Sequence, residues 1–396
     1  MGKGNGLMGM AVAAAMGLSL MMGVPAWAHE EEHEDYGGHL IPHQIAGLDF
    51  NGGVTWFLQG SSGNGANDST DLTYTLDLNL EGHISDTGTV NLAVESGNGA
   101  GIDDRLGSLS TTNYDAFITE LTTGSNDFNT PSISQLYYEG DYYEGGVTVD
   151  FGKLDVHSMY DDNAYANDET DQFLSAIFTR SAGTTYAELD QYYAPGLAIT
   201  AGLGEQLSLM GMVANGIGSG FSGVTDRPYV VGQVTYSPSV GDLAGNYRVY
   251  GIVDNRVYTE IGTGAESENV AWGVSVDQAL PGGLGVFGRY SSQDDSIDEN
   301  AVESSWSLGA VMDGSAWDRE GDVVGVGYGS VVVNQAASSI VAITNADDEN
   351  HLEAYYKIAY SDHFTLTPDL QVVFNNGGNA DSDIITVFGV RGQMNF

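Results

Sequence analysis

The chain has 396 residues, 54 of them acidic and 11 basic, with no cysteine and a formal net charge of −43 at pH 7. That balance excludes nucleic-acid binding, which needs Lys and Arg against phosphate, and the missing cysteine excludes disulfides and thiolate metal sites. With 42% hydrophobic residues, 22 Tyr and 13 Phe, the chain is too apolar for disorder, so the acids belong in solvated loops or along an aqueous lumen that draws in cations.

Residues 1–28 join a weakly basic start to an apolar run that closes on Ala26-Trp27-Ala28. This predicts a secretory signal peptide rather than a membrane anchor, because Gly and Ala dilute the run and a small-x-small cleavage site ends it. Residues 29–43 form a tail rich in His and acids. Its "HEEEH" matches the zinc-protease pattern in letters, but no apolar face follows to anchor a helix. His29, His33, His39 and His43, with the neighbouring acids, are therefore read as a loose divalent-metal tail at most.

From residue 44 to 396 a single barrel domain is expected. In "DLTYTLDLNLEGHI", residues 71–84, Leu72, Tyr74, Leu76, Leu78 and Leu80 share one face, and Thr73, Thr75, Asp77, Asn79 and Glu81 share the other. A period of two marks a strand, and some fourteen such segments recur to the C-terminus. No run of about 18 apolar residues follows the signal peptide, so a spanning chain must be a closed barrel. The leucines then face lipid and the polar residues face water inside. A secreted sandwich with the leucines inward, including a periplasmic metal-binding β-protein, is the competing reading. The last segment, "IITVFGVRGQMNF", alternates up to the terminal Phe396, in the manner of an outer-membrane barrel's closing strand. Eight strands would leave about 46 residues each, 22 strands about 17, and sixteen about 23, which suits about ten spanning residues plus alternating short turns and longer loops. The expected fold is thus all-β: a transmembrane antiparallel β-barrel of about sixteen strands enclosing an aqueous channel.

Residues 150–178, "DFGKLDVHSMYDDNAYANDETDQFLSAIF", interrupt the alternation. Gly152, Lys153, Leu154 and Asp155, then Asp162, Asn163, Ala166, Asn167, Asp168, Glu169, Thr170, Gln172, Phe173, Leu174 and Ser175, resemble the signature block of the carbohydrate-selective porins, the OprB family. Near the end, "GDVVGVGYGS" and the run of Glu353, Tyr355, Tyr356, Thr367, Pro368, Asp369, Gln371, Asn375, Gly377 and Gly378 are similar to that family's closing segments. Asn376 stands where the family usually has Pro. The likeness is thin before residue 130. It implies a sixteen-stranded bacterial outer-membrane porin, a homotrimer, through which small polar solutes diffuse without a cofactor. Carbohydrates are the solutes the family name suggests, and a cation- or metal-selective channel is the alternative that the acid surplus suggests.

The interrupting block is read as an in-folded constriction loop, with "TDQFLSAIF" a short helix capped by Thr170. Its Asp162, Asn163, Asn167, Asp168 and Glu169, with Lys153 and Asp155 at the strand end, either meet solute or brace the loop against the wall. Parity puts Arg248, Arg289, Lys357 and Arg391 on the lumen face, where they either set a transverse field across the constriction or offset neighbouring carboxylates. Glu353 and Asp369 share that face. Tyr355 joins them, for packing or for stacking on a sugar ring. The glycines of "GNGAG" and "GVGYG" read as strand or loop glycines, since no phosphate-loop helix or Lys-Ser/Thr follows either. No catalytic constellation stands out, and no enzyme activity is expected.

Overall fold

The computed structural model describes residues 44–45, 48–123, 131–184, 193–217 and 220–396. The expected signal peptide at 1–28, and the tail at 29–43 with its metal reading of His29, His33, His39 and His43, lie outside the described residues.

Sixteen long strands form the wall: β1 Leu48–Ser62, β2 Thr70–Ser85, β3 Gly88–Gly97, β4 Ser132–Tyr142, β5 Val147–Asp155, β6 Tyr193–Gly202, β7 Leu207–Asn215, β8 Pro228–Tyr236, β9 Leu243–Thr259, β10 Glu266–Leu280, β11 Leu284–Gln293, β12 Val302–Asp313, β13 Val323–Val333, β14 Glu349–Ser361, β15 Phe364–Phe374 and β16 Ile385–Asn395. Two-residue strands, Gln44–Ile45 and Ser239–Val240, pair with the starts of β1 and β9. Each long strand runs antiparallel to the next, and β16 pairs with β1 from Thr386↔Ser62 to Asn395↔Gly53. Among the described residues the sheet therefore closes on itself without a free edge on the long strands, the condition for crossing hydrocarbon with strands.

Alternation fixes which side chains face where. On β2, Leu72 is 37% exposed while Thr73 and Asp77, one and five positions on, are 3% and 5% exposed. Leu58, Phe151, Val249, Leu308 and Phe388 likewise stand on the outside, while Thr75, Ser275, Ser291, Glu353 and Gln371 are buried inside. An apolar exterior around a polar interior inverts the soluble sandwich and matches a lipid environment. Aromatic pairs on neighbouring strands sit on the outer face, Trp272 with Tyr290 at 5.4 Å and Trp306 with Tyr328 at 5.7 Å, as in an interfacial girdle.

Two segments from the long connections fold into the bore, where the sequence suggested one. The first follows β3 and carries α1 (Asp103–Leu106) and α2 (Tyr114–Thr123); the second follows β5 and carries α3 (Ala176–Thr179). The helix expected in "TDQFLSAIF" is thus shorter and begins later. Thr170 does not cap it; its N–H and hydroxyl donate to Asp168 in a turn instead.

Between these segments and the wall lie two packed clusters, so the bore is less open than a sixteen-stranded barrel with an empty lumen. One gathers Tyr114, Tyr160, Tyr193, Tyr229 and Tyr250 around Leu154 and Met212. The Tyr160 and Tyr229 hydroxyls are 2.7 Å apart, and His157 Nδ1 is 3.1 Å from Tyr160. The other gathers Phe173, Ile177, Phe178, Phe287 and Tyr355. It fits because β13 presents glycine inward: a Cβ on Gly327 would lie 2.7 Å from the Phe178 ring, and one on Gly329 would lie 2.9 Å from Ile177.

If Leu308 faces lipid at mid-strand, Leu308→Arg should lower barrel stability by about 2–4 kcal/mol. Urea titration of protein refolded into vesicles reads this directly, and an unchanged midpoint would contradict the orientation.

Candidate functional site at the inner constriction

The inner segments are held by groups that the wall strands present at alternate positions. On β14 the inward face carries Glu349, His351, Glu353, Tyr355 and Lys357. Glu349 accepts from Ser108 Oγ at 2.7 Å, from Leu109 N and Ser110 N at 3.0 Å, and from Gly377 N at 2.7 Å. Four residues on, Glu353 accepts from Leu174 N at 2.6 Å and Ser175 N at 2.9 Å. One strand thus clamps the first inner segment with one carboxylate and the second with another. Charge-assisted bonds of this kind are the stronger class of hydrogen bond.

His351 lies between the two, its Nε2 2.8 Å from Glu349 and its Nδ1 3.4 Å from Ser175 Oγ. The Ser175–His351–Glu349 chain has the composition of a hydrolase triad, but all three residues are buried and the hydroxyl donates to Thr111 O at 3.1 Å. Its role here is to join the two clamps.

The scarce cations do similar work. Arg289 pairs with Asp161 at 3.2 Å and also donates to the Asp161, Ala166 and Phe178 carbonyls. Arg248 bridges Asp277 at 2.7 Å and Asp162 at 3.0 Å. Lys357 reaches Asp171 at 2.6 Å. Arg391 donates to the carbonyls of Glu169 at 2.8 Å and Gln172 at 2.9 Å.

The remaining sequence-derived candidates are placed as follows. Asn163 donates to Ser275 and to Val276 O. Asn167 accepts from Arg180 at 2.6 Å. Asp155 forms the turn into the loop by accepting from His157 N and Ser158 N. Asp369 accepts from Gln371, which also holds Thr112 O. Tyr355 is buried edge-on against Phe173, ring centroids 5.0 Å apart, so its face is packed rather than presented to solute. Lys153 pairs in register with the exposed Leu136 and donates to Ile133 O at 2.6 Å.

A small gap lies between α2, the second inner segment and the wall at β2, β3 and β6. It is lined by Asp77, Glu95, Asp115, Ile118, Thr119, Asn167, Asp168, Glu169, Thr170, Arg180 and Tyr193. Only Asn167, Asp168 and Glu169 of these were site candidates in the sequence. Asp77 and Glu95 fall on the polar parity of their strands, which marks them as inward but does not separate them from a dozen others. Asp115 sits on α2, whose folding inward no local pattern announces. Thr75 Oγ1 donates to Asp115 at 2.8 Å and Tyr193 Oη to Glu95 at 2.5 Å.

Against known proteins, the sequence profile described as "Carbohydrate-selective porin, OprB family" matches residues 63–396. The chain belongs to this family. Porin B of Pseudomonas aeruginosa is 24% identical over 311 residues, 67% of this chain and 68% of that protein. Porin AaxA of Chlamydia abortus is 24% identical over 282 residues, 69% of this chain and 60% of its own length, so the chain spans about three fifths of that relative. The high-pH structure of Pseudomonas putida OprB superposes with a TM-score of 0.74 at 17% identity, over 88% of this chain and 94% of that one. Its low-pH structure superposes with a TM-score of 0.55 at 15% identity, over 88% and 93%. These likenesses show the barrel fold, and with the family they place the protein in the bacterial outer membrane. Much of the block that carries the family resemblance, from Asp162 to Ser175, is the stretch that wall residues hold.

Burial lifts three inner-segment acids: Asp103 to about 6 against the hydrogen bonds from Thr112 and Asn113, Asp115 to about 7 against the bond from Thr75, and Glu169 to about 8 against Arg180. Acids raised on folding favour the seated segments while protonated, so that contribution is full below about pH 4 and is lost as pH rises through 6 to 8. Amide exchange of residues 98–123, corrected for its intrinsic rate, should therefore lose protection between pH 5 and pH 9; a gain would contradict the assignment. Glu353→Ala orphans two buried N–H groups at about 1–3 kcal/mol each, and should release the second segment and raise single-channel conductance with the barrel intact.

Proposed function

We propose that the protein is a passive diffusion porin for small hydrophilic solutes, with carbohydrates as the preferred class. The observation that carries this reading is the family match across residues 63–396, on a chain whose closed wall is apolar outside and hydrogen-bonding inside. A lumen bordered by Gln, Thr, Ser and Asn exchanges hydrogen bonds with hydroxyl-rich solutes without needing net charge, and many weak contacts favour entry without trapping. Transport of this kind needs no cofactor and no bond chemistry, so the fitting description is a channel rather than an enzyme. A homotrimer in outer-membrane lipid belongs to the same proposal.

Liposome swelling tests the solute class. Proteoliposomes placed in isosmotic glucose or a disaccharide should swell faster than protein-free liposomes, and the smaller sugar should enter faster. Swelling no faster than the protein-free control with both sugars would overturn the carbohydrate reading.

A further inference from the structure

Five of the residues lining the gap are acidic, Asp77, Glu95, Asp115, Asp168 and Glu169, against one arginine, Arg180, and Asp115 and Glu169 ionise as pH rises through about 7 to 8. Charge alone would make this an acidic patch like others on the chain. Two further observations make it specific. Asp77 on β2 stands directly across the ladder from Glu95 on β3, and like charges in register destabilise a sheet pair. Asp77 is also 5% exposed, yet it accepts no hydrogen bond and forms no ion pair among the described residues. Asp115 and Asp168, by contrast, accept from Thr75 and Thr170, and Glu95 accepts from Tyr193.

Arg180 does not supply what Asp77 lacks. Its Nη1 is turned to Asn167 Oδ1 at 2.6 Å and Thr179 O at 2.9 Å. A carboxyl group this buried, with no donor and an acid opposite, favours its neutral form unless a positive charge stands beside it, and a cation arriving in the gap supplies that charge. The space between the residues is about 50 Å³, room for about three or four water molecules, which suits a small cation exchanging part of its hydration shell for carboxylate oxygens.

We propose that this gap is a cation-selective filter within the porin and that Asp77 is the residue that sets its selectivity, receiving a hydrated monovalent cation between itself and Glu95. The inference rests on the porin reading and adds to it a preference by charge. A cation reaching this gap would meet a negative station there, from which anions are turned back.

The test uses the full protein in a planar lipid bilayer under a tenfold KCl gradient at pH 9, above the values to which burial lifts Asp115 and Glu169, with the reversal potential reporting the permeability ratio of K⁺ to Cl⁻. The unmodified channel should favour K⁺. Asp77→Asn should lower the ratio by at least about threefold, as expected for removing one charge at close range. Asp77→Glu should keep most of it, and Glu205→Gln, which removes one acid from an exposed turn away from the gap, should leave it unchanged. A non-selective or anion-selective unmodified channel would overturn the proposal whatever the variants do, and so would an unaltered ratio in Asp77→Asn. The sugar-swelling assay fails independently: selective K⁺ passage without sugar entry would remove the carbohydrate reading alone, whereas sugar entry through a non-selective pore would remove the filter alone.

Discussion

A peptide group in hydrocarbon has no water to bond, and that constraint organises the molecule. Strands can satisfy their amides only against one another, so the first long strand must meet the last, as β1 meets β16 along ten residue pairs. Closure settles the side chains as well. With lipid outside, the apolar parity of every strand turns outward and the polar parity turns in, which gives a soluble-looking interior inside a membrane wall. The glutamates, arginines and glutamines that hold the inner segments exist because the wall needs a hydrophilic inner surface in any case.

On that surface the chain uses its few positive charges with economy. Arg248, Arg289, Lys357 and Arg391 each bind the second inner segment through a carboxylate, a carbonyl or both. The negative clamps, Glu349 and Glu353, take backbone N–H groups. Cations thus hold the loop's acceptors and anions its donors.

The sequence was most legible where geometry repeats. A period of two is local, so "DLTYTLDLNLEGHI" declared its two faces, and chain length divided by a plausible strand and turn gave sixteen. The in-folded block was visible because it broke that period and resembled a known family. Less was legible where meaning lies between distant segments. Nothing near Tyr355 says whether its ring meets solute or Phe173, since that depends on a loop about 180 residues earlier. Nothing in the alternation marks the segment carrying α2 as one that folds inward. Asp77 and Asp115 are two acids among 54 until the fold brings them to one gap. Glycine at 325, 327 and 329 was legible as strand glycine, but the reason for it, the Tyr355, Phe178 and Ile177 side chains filling the missing volume, appears only in three dimensions.

The first inner segment touches both sides of the seam where the barrel closes. Asn113 donates to Gln59 on β1 and Asp115 accepts from Thr75 on β2, while Ser110 and Thr112 are held by Glu349 on β14 and Gln371 on β15. It therefore works as a bolt across a door whose two edges are more than 300 residues apart in the chain. The bolt cannot slide home until the door has shut, because its four holds come within reach of one segment only when β1 and β16 are paired.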